Sequence, residues 1–426
     1  MKKFFIKTLG CKSNQLENEI IINELVENGY VQTSDAQEAD FYILNSCAVT
    51  QKAAGESLYY LKNIKHKKPE IKTILTGCVA QLKDFEKDNE YIDMVLGNDE
   101  KLSISNYLEQ ADGEYIGDIF ALKQFTNKFI ENYTRTRANL KIQDGCNNRC
   151  SYCTIPLARG ISRSNSVENI IKQIDIYLKN GINEIVLTGI HIGQWGLDFE
   201  EPQNLKKLLK EIEKTEIKRY RLGSLDALEL DDELLEFLQK SNKFCPHFHI
   251  SIQSMSDNVL KKMNRKYNAQ RVEGVIEKIN SLFKNPFIGC DIIVGFSGET
   301  EDNFSECYQN LQQANLSKIH VFPFSKRKNT PAWNFKDEVS EKIKRERAEI
   351  LKELSKQKYH NFLENNIGSI QEVQVQKRID KKTLMYKGTT RNYIDVLINS
   401  DKDITNKILN AKITEIKDDI VFAQVV

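Results

Sequence analysis

The chain has 426 residues, of which 40% are hydrophobic and 28% charged, an ordinary globular composition that excludes disordered, collagen-like and mini-protein classes. Its 61 basic and 60 acidic residues leave a net charge of +1, so any surface for a polyanion must be local. Nine cysteines in a large chain point to metal or redox use rather than to a disulfide framework. No apolar run approaches the ~18 to 20 residues of a membrane helix. Lys7 cuts the apolar start Phe4-Phe5-Ile6 before a signal-peptide core can form, and the expected location is the cytoplasm.

From the start to about residue 115, short apolar runs alternate with helical patterns, which predicts a parallel sheet built from strand-helix-strand units. The expected strands are Phe4 to Thr8, Phe41 to Asn45, Lys72 to Thr76 and Met94 to Leu96. Each of the first three runs into a cysteine: Thr8-Leu9-Gly10-Cys11, Leu44-Asn45-Ser46-Cys47 and Leu75-Thr76-Gly77-Cys78. In a parallel sheet all carboxyl ends meet at one edge, so the three thiols are expected to converge there as a metal site. A buried small hydrophobe is the ordinary alternative for any one of them. No Gly-rich phosphate loop follows the first strand.

From 138 to 335 the alternation resumes with a longer repeat. Strands are expected at Leu140 to Gln143, Glu184 to Leu187, Arg219 to Leu222, His247 to Ile252, Cys290 to Val294 and Ile319 to Pro323, which suits an open, partial (βα)6 barrel. Immediately after the first of these comes Gly145-Cys146-Asn147-Asn148-Arg149-Cys150-Ser151-Tyr152-Cys153. A loop that tight gathers three sulfurs at little entropic cost. It lacks the fourth ligand that structural zinc takes, whereas three thiolates on a 4Fe–4S cube leave one iron open. A distant histidine completing a zinc site is the alternative. Among weaker candidates, Gly189, Ser224, Ser251 and Gln253 end strands, and His247 and His249 share one strand face; Cys245, Cys290 and Cys307 read as packing residues.

Residues 336 to 362 predict one charged helix, and Lys326 to Lys358 hold 11 basic against 6 acidic residues. From 363 to 426 short alternating strands (Ile370 to Val375, Tyr393 to Ile398, Ala411 to Ile416, Ile420 to Val425) predict a small all-β barrel. The fold class is therefore α/β: a parallel N-terminal α/β domain over 1–115, a partial barrel over 138–335, a helical connection and a terminal β module.

The spacing Cys146, Cys150, Cys153 resembles the signature of the radical S-adenosylmethionine enzymes. Both trios in this order, together with Gly97-Asn98-Asp99, the run Ile155-Pro156-Leu157-Ala158-Arg159-Gly160 and the terminal β module, resemble the methylthiotransferases of that superfamily. That resemblance implies two 4Fe–4S clusters and S-adenosylmethionine as cofactors, with Cys11, Cys47 and Cys78 holding the auxiliary cluster. The catalytic cluster then falls to Cys146, Cys150 and Cys153, whose open iron chelates S-adenosylmethionine and delivers the electron that cleaves it to a radical. It further implies that Gly189, Ser224, Gln253 and the segment Ile293 to Glu299, with Gly295 and Glu299, contact S-adenosylmethionine, and that the β module is a TRAM domain gripping RNA. Ala158-Arg159-Gly160-Ile161-Ser162-Arg163-Ser164 and Leu187-Thr188-Gly189-Ile190-His191 are most similar to the branch that modifies threonylcarbamoyladenosine in tRNA, 3′ of the anticodon. Arg159 and Arg163 are the candidates for holding the threonylcarbamoyl carboxylate. Sister branches act on isopentenyladenosine or on a ribosomal-protein aspartate, and a non-catalytic zinc-stabilised RNA-binding protein is the reading from another class. The resemblance implies an electron donor of flavodoxin or ferredoxin type; the sequence names no sulfur donor. Met255, Ser297 and Asn329 depart from the family's usual Gly, Pro and Gly.

Overall fold

The structure is a computed structural model that describes residues 1–85, 90–133 and 135–426. Its first layer is a six-stranded, all-parallel sheet: β1 (Lys3–Thr8), β2 (Val31–Gln32), β3 (Phe41–Ser46), β4 (Lys72–Gly77), β5 (Met94–Leu96) and β6 (Gly113–Tyr115), in spatial order β2-β1-β3-β4-β5-β6. All six residues of β3 are buried, as expected of a central strand covered on both faces. Phe41 and Ile43 join the core on one face, Tyr42 and Leu44 the core on the other. The two-residue β2 and the three-residue β6 extend the sheet beyond the expected strands; neither is long enough to show an alternation.

The helix Lys12–Glu27 buries Ser13, Asn14, Glu17 and Asn23 along with Leu16, Ile20, Ile21 and Leu25. A helix face that buries polar groups must meet partners for them, and here they come from the next unit. That unit is built from β7 (Arg137–Lys141), β8 (Gln143–Asp144), β9 (Arg163–Ser164), β10 (Glu184–Thr188), β11 (Arg219–Leu222), β12 (His247–Gln253), β13 (Phe287–Val294) and β14 (Lys318–Pro323). Strands β7, β10 and β11 form one parallel sheet and β12, β13 and β14 another. The parallel bridges Tyr220 to Phe244 and Leu225 to Ile250 join them. Six strands thus follow chain order round an open barrel. Along β12, Phe248, Ile250 and Ile252 pack under the helices while His249, Ser251 and Gln253 stay half-buried on the other face, so the barrel's inner lining is polar.

The expected strand Leu140 to Gln143 is two strands. Ile142 still donates its N–H to Thr188 O, but Gln143 and Asp144 turn to pair antiparallel with Ser164 and Arg163. The long helix spans Glu341–Glu364, not 336 to 362, because Ser340 caps it by accepting from the Ile343 N–H.

The last five strands, β15 (Ile370–Ile379), β16 (Tyr386–Thr390), β17 (Asp395–Ile398), β18 (Ile408–Lys417) and β19 (Ile420–Val425), close into a barrel in the order β15-β16-β17-β19-β18. Strand β16 lies outside the expected strands because Tyr-Lys-Gly-Thr-Thr carries no apolar alternation. Tyr393 belongs to the turn before β17, its φ of 69° lying in the left-handed region. This barrel docks on the amino-terminal rim of the central one. Arg221 donates to the main-chain oxygens of Arg391 and Thr390, both at 2.7 Å, and Arg219 to that of Thr389 at 3.3 Å, while both arginines pair with the buried Glu184.

Candidate active site between two cysteine trios

Cys11, Cys47 and Cys78 follow β1, β3 and β4, three adjacent strands in which Thr8 is level with Asn45 and Asn45 with Thr76. The edge that carries them is closely packed. At Gly10, with φ 97°, a Cβ would lie 2.8 Å from Cys47 Sγ, so only glycine leaves room for that thiol. Cys11 is exposed, while Cys47 and Cys78 are buried. Burial pushes the Cys47 thiol up to about 11, which keeps it protonated at neutral pH unless a metal takes the proton's place.

The second trio sits on the loop after β8. Gly145 has φ 71°, and a Cβ there would come within 1.9 Å of Ile161 O; the Cys146 N–H donates to Gly160 O at 3.1 Å. The loop is thus pressed against the segment before β9. Each thiol faces one nitrogen. Arg265 Nη1 donates to Cys150 Sγ at 3.2 Å, the Ile155 N–H to Cys153 Sγ at 3.4 Å, and His191 Nδ1 lies 3.6 Å from Cys146 Sγ. Donors aimed at cluster sulfurs are what holds and tunes an iron–sulfur centre, and on that ground the residues fit one. Among the described residues no three Cys, His, Asp or Glu side chains gather tightly enough for a single metal ion.

The nitrogens are themselves held. Arg265 Nη2 pairs with Asp226 at 2.6 Å and His191 Nε2 with Glu229 at 2.5 Å. Burial works against a charged His191, but Cys146 and Glu229 outweigh it and raise its pKa to about 10. Neither Arg265 nor Glu229 belongs to a recognisable motif, and nothing in the sequence alone marks them.

A cavity of about 310 Å³ opens beside this loop, lined by Cys146, Cys150, Cys153, Ser224, Ser251, Gln253 and Asp291 and walled by Ile293, Phe322 and Phe324. Gln253 reaches it through a register shift in β12 after Ile250 and a φ of 70°, a bulge and a strained backbone that together re-aim one side chain. Val49 and Thr50, two and three residues past Cys47, line the same cavity. The structure therefore brings Ser224 and Gln253 to the thiol trio. It does not bring Gly295 or Glu299, which are absent from the lining. Gly295 packs on the Lys344 side chain, and Glu299 accepts from Arg347 at 2.7 Å and from the Gly295 N–H at 3.0 Å. Gly189 packs on Gln143 and Ile192, and its neighbours Ile190 and His191 line the cavity.

Arg159 and Arg163 also depart from expectation. Arg159 is 1% exposed and spans the seam between the two units: Nη1 pairs with Glu17 at 2.7 Å and Asp144 at 3.1 Å, and Nη2 with Asn14 at 2.6 Å. Arg163 is buried and bonds Ile161 O. Neither lines the cavity, so neither is placed to hold a substrate carboxylate. His247 is stacked on Phe287 and packs against the tilted ring of Tyr393, and burial holds its pKa well below the usual range; His249 pairs with Asp291 at 3.0 Å. Cys245, Cys290 and Cys307 are buried.

Residues 140–311 match the Radical SAM superfamily model and residues 3–97 the one described as Uncharacterized protein family UPF0004. The chain is 37% identical over 418 residues, 95% of its length and 92% of the relative's, to the threonylcarbamoyladenosine tRNA methylthiotransferase MtaB of Bacillus subtilis. The chain belongs to the radical SAM methylthiotransferases. Another member, the tRNA-2-methylthio-N(6)-dimethylallyladenosine synthase of Clostridium botulinum, is 33% identical over 96% of this chain and 94% of its own. The fold is shared with the radical S-adenosylmethionine methyltransferase TsrM from Kitasatospora setae, with a TM-score of 0.57 at 12% identity over 78% of this chain and 77% of that one. As a radical SAM methylthiotransferase the protein uses 4Fe–4S clusters and S-adenosylmethionine. No helix among the described residues is long and apolar enough to cross a membrane.

Proposed function

We propose that this methylthiotransferase acts on C2 of N6-threonylcarbamoyladenosine at position 37 of tRNA, the base 3′ of the anticodon, in the cytoplasm. The observation that carries it is that one cavity is lined both by Cys146, Cys150 and Cys153 and by Val49 and Thr50 from the Cys47 loop. A base lodged there would lie between the loop of Cys146, Cys150 and Cys153 and the loop after Cys47. When bound, the cluster on Cys146, Cys150 and Cys153 supplies the electron that cleaves S-adenosylmethionine, and the one on Cys11, Cys47 and Cys78 supplies the sulfur.

The chain's own groups bind and orient. Gln253, Ser224 and Ser251 offer hydrogen bonds to the polar parts of S-adenosylmethionine, while Ile293, Phe322 and Phe324 give the cavity an apolar wall. Thr50 Oγ1 accepts from the Ala53 N–H at 3.1 Å and Ser325 Oγ from the Gln51 N–H at 3.0 Å. With an acceptor lone pair of each hydroxyl engaged, its proton remains to donate, and both line the cavity. Two such donors suit the carboxylate and hydroxyl of a threonylcarbamoyl group and leave an isopentenyl group unmatched. Relatives named for the former substrate support the same choice.

Mass spectrometry of tRNA nucleosides from a deletion strain tests it. Methylthio-threonylcarbamoyladenosine should vanish and its unthiolated precursor accumulate. Loss of methylthio-isopentenyladenosine instead would move the chain to the sister branch.

A further inference from the structure

A second cavity, about 390 Å³, lies along the same seam and is lined by Gln51, Gly55, Leu58, Phe85, Arg327 and Lys328 among others. Its volume falls in the range of small-ligand sites. Thr154 lines both cavities, and short stretches of chain divide between them: Thr50 on the first and its neighbour Gln51 on the second, Ser325 on the first and Arg327, two residues on, on the second. The two are compartments of one groove.

Three features shape the second compartment. Gly55 stands inside the helix Gln51–Lys67, where glycine is disfavoured relative to alanine, yet a Cβ there would meet nothing within 4 Å. No packing demands glycine; what it does is leave the wall open. Arg327, 6% exposed, pairs with Asp84 across the seam but keeps a buried Nε with no partner. Beside it Lys328 is exposed and has no ion pair among the described residues. The basic run Lys326-Arg327-Lys328 is thus no surface patch: Lys326 bonds Glu338 and Phe335 O, Arg327 is inside, and only Lys328 is offered outward. Leu58, Leu82 and Phe85 supply an apolar wall.

We propose that this second compartment holds a nucleotide adjacent to the target adenosine, its base against Leu58 and Phe85 and its phosphate beside Arg327 and Lys328. This rests on the tRNA reading above. Drawing one base out of a loop unstacks its neighbours, and a cationic groove with an apolar wall restores for one of them what was lost.

The test uses the full, cluster-loaded protein and an anticodon stem-loop RNA carrying threonylcarbamoyladenosine, with 2-aminopurine at each neighbouring position in turn. Gly55→Leu adds bulk into open space and improves helix propensity, so it should fold; it should weaken RNA binding about tenfold, the scale of one lost stacking contact. Lys328→Glu should lower the log-log salt slope by about one contact's worth, ~0.7. S-adenosylmethionine binding without RNA should be unchanged in both. One 2-aminopurine position should change fluorescence on binding wild type and not on binding Gly55→Leu. Wild-type RNA affinity in Gly55→Leu, or no position responding, overturns the proposal. If wild type leaves threonylcarbamoyladenosine unmodified while Gly55→Leu still weakens RNA binding, the substrate reading falls and the compartment stands.

Discussion

Replacing Arg159 by methionine removes the centre of the charge network that joins the N-terminal sheet to the central barrel. Glu17, 2% exposed, meets three cations, Lys101 at 2.6 Å and Lys141 and Arg159 at 2.7 Å each, and Asp144 meets Lys141 at 2.7 Å and Arg159 at 3.1 Å. Truncating one member of a buried pair costs ~3 to 5 kcal/mol, because the partner is left in low dielectric. Here neither carboxylate is abandoned: Glu17 keeps two lysines and Asp144 keeps one. Arg159→Met is therefore expected at the lower end, ~3 kcal/mol. Glu17→Ala should cost more, ~5 kcal/mol, since it leaves Lys101 with no carboxylate and Lys141 and Arg159 sharing Asp144 alone. At ~2 to 4 °C per kcal/mol for units of this size, these are losses of roughly 6 to 12 °C and 10 to 20 °C in Tm. Calorimetry and urea unfolding at matched iron content measure both. A loss under ~1 kcal/mol for Arg159→Met, or a smaller loss for Glu17→Ala than for Arg159→Met, would refute the reasoning.

Three further outcomes are expected. Replacing Cys146, Cys150 and Cys153 by alanine should remove half of about eight irons and all cleavage of S-adenosylmethionine, whereas replacing Cys11, Cys47 and Cys78 should remove the other half and spare cleavage; iron assay and product chromatography distinguish them. Gln253→Gly should raise stability by ~1 kcal/mol, by relieving the left-handed backbone, while weakening S-adenosylmethionine binding in calorimetric titration. The Glu17 pKa is held well below 4.5: burial alone would raise it, but Arg159, Lys101 and Lys141 prevail. Its contribution to stability is therefore complete above that pH and lost on acidification, so the stability gap between wild type and Glu17→Gln should narrow as pH falls from 6 to 3 in urea titrations.

The cysteine trios were legible because their chemistry is local in sequence. Four- and three-residue spacings are read directly, and the strand-ending positions of Cys11, Cys47 and Cys78 follow from the period of the flanking residues. What the sequence hides is long-range pairing. Arg159 stands beside the cluster loop and resembles a substrate ligand, but its partner Glu17 is 142 residues away, and one sequence cannot show that the two side chains neutralise each other. Arg265 and Glu229 were missed for the same reason. The Gln253 bulge escaped because an inserted residue shifts register without altering the alternation before it. Asn329 was legible only as a departure; its φ of 63° shows why asparagine serves where the family has glycine, since its short polar side chain tolerates that conformation.

The terminal barrel has no open strand edge and is fastened by Arg219 and Arg221 to the rim opposite the cysteines. The height of the central barrel, about seven residues of β12 at ~3.3 Å each, or roughly 23 Å, then becomes a fixed ruler. The terminal barrel and the cysteine rim are therefore kept at one separation, set by the barrel wall itself, with no moving part.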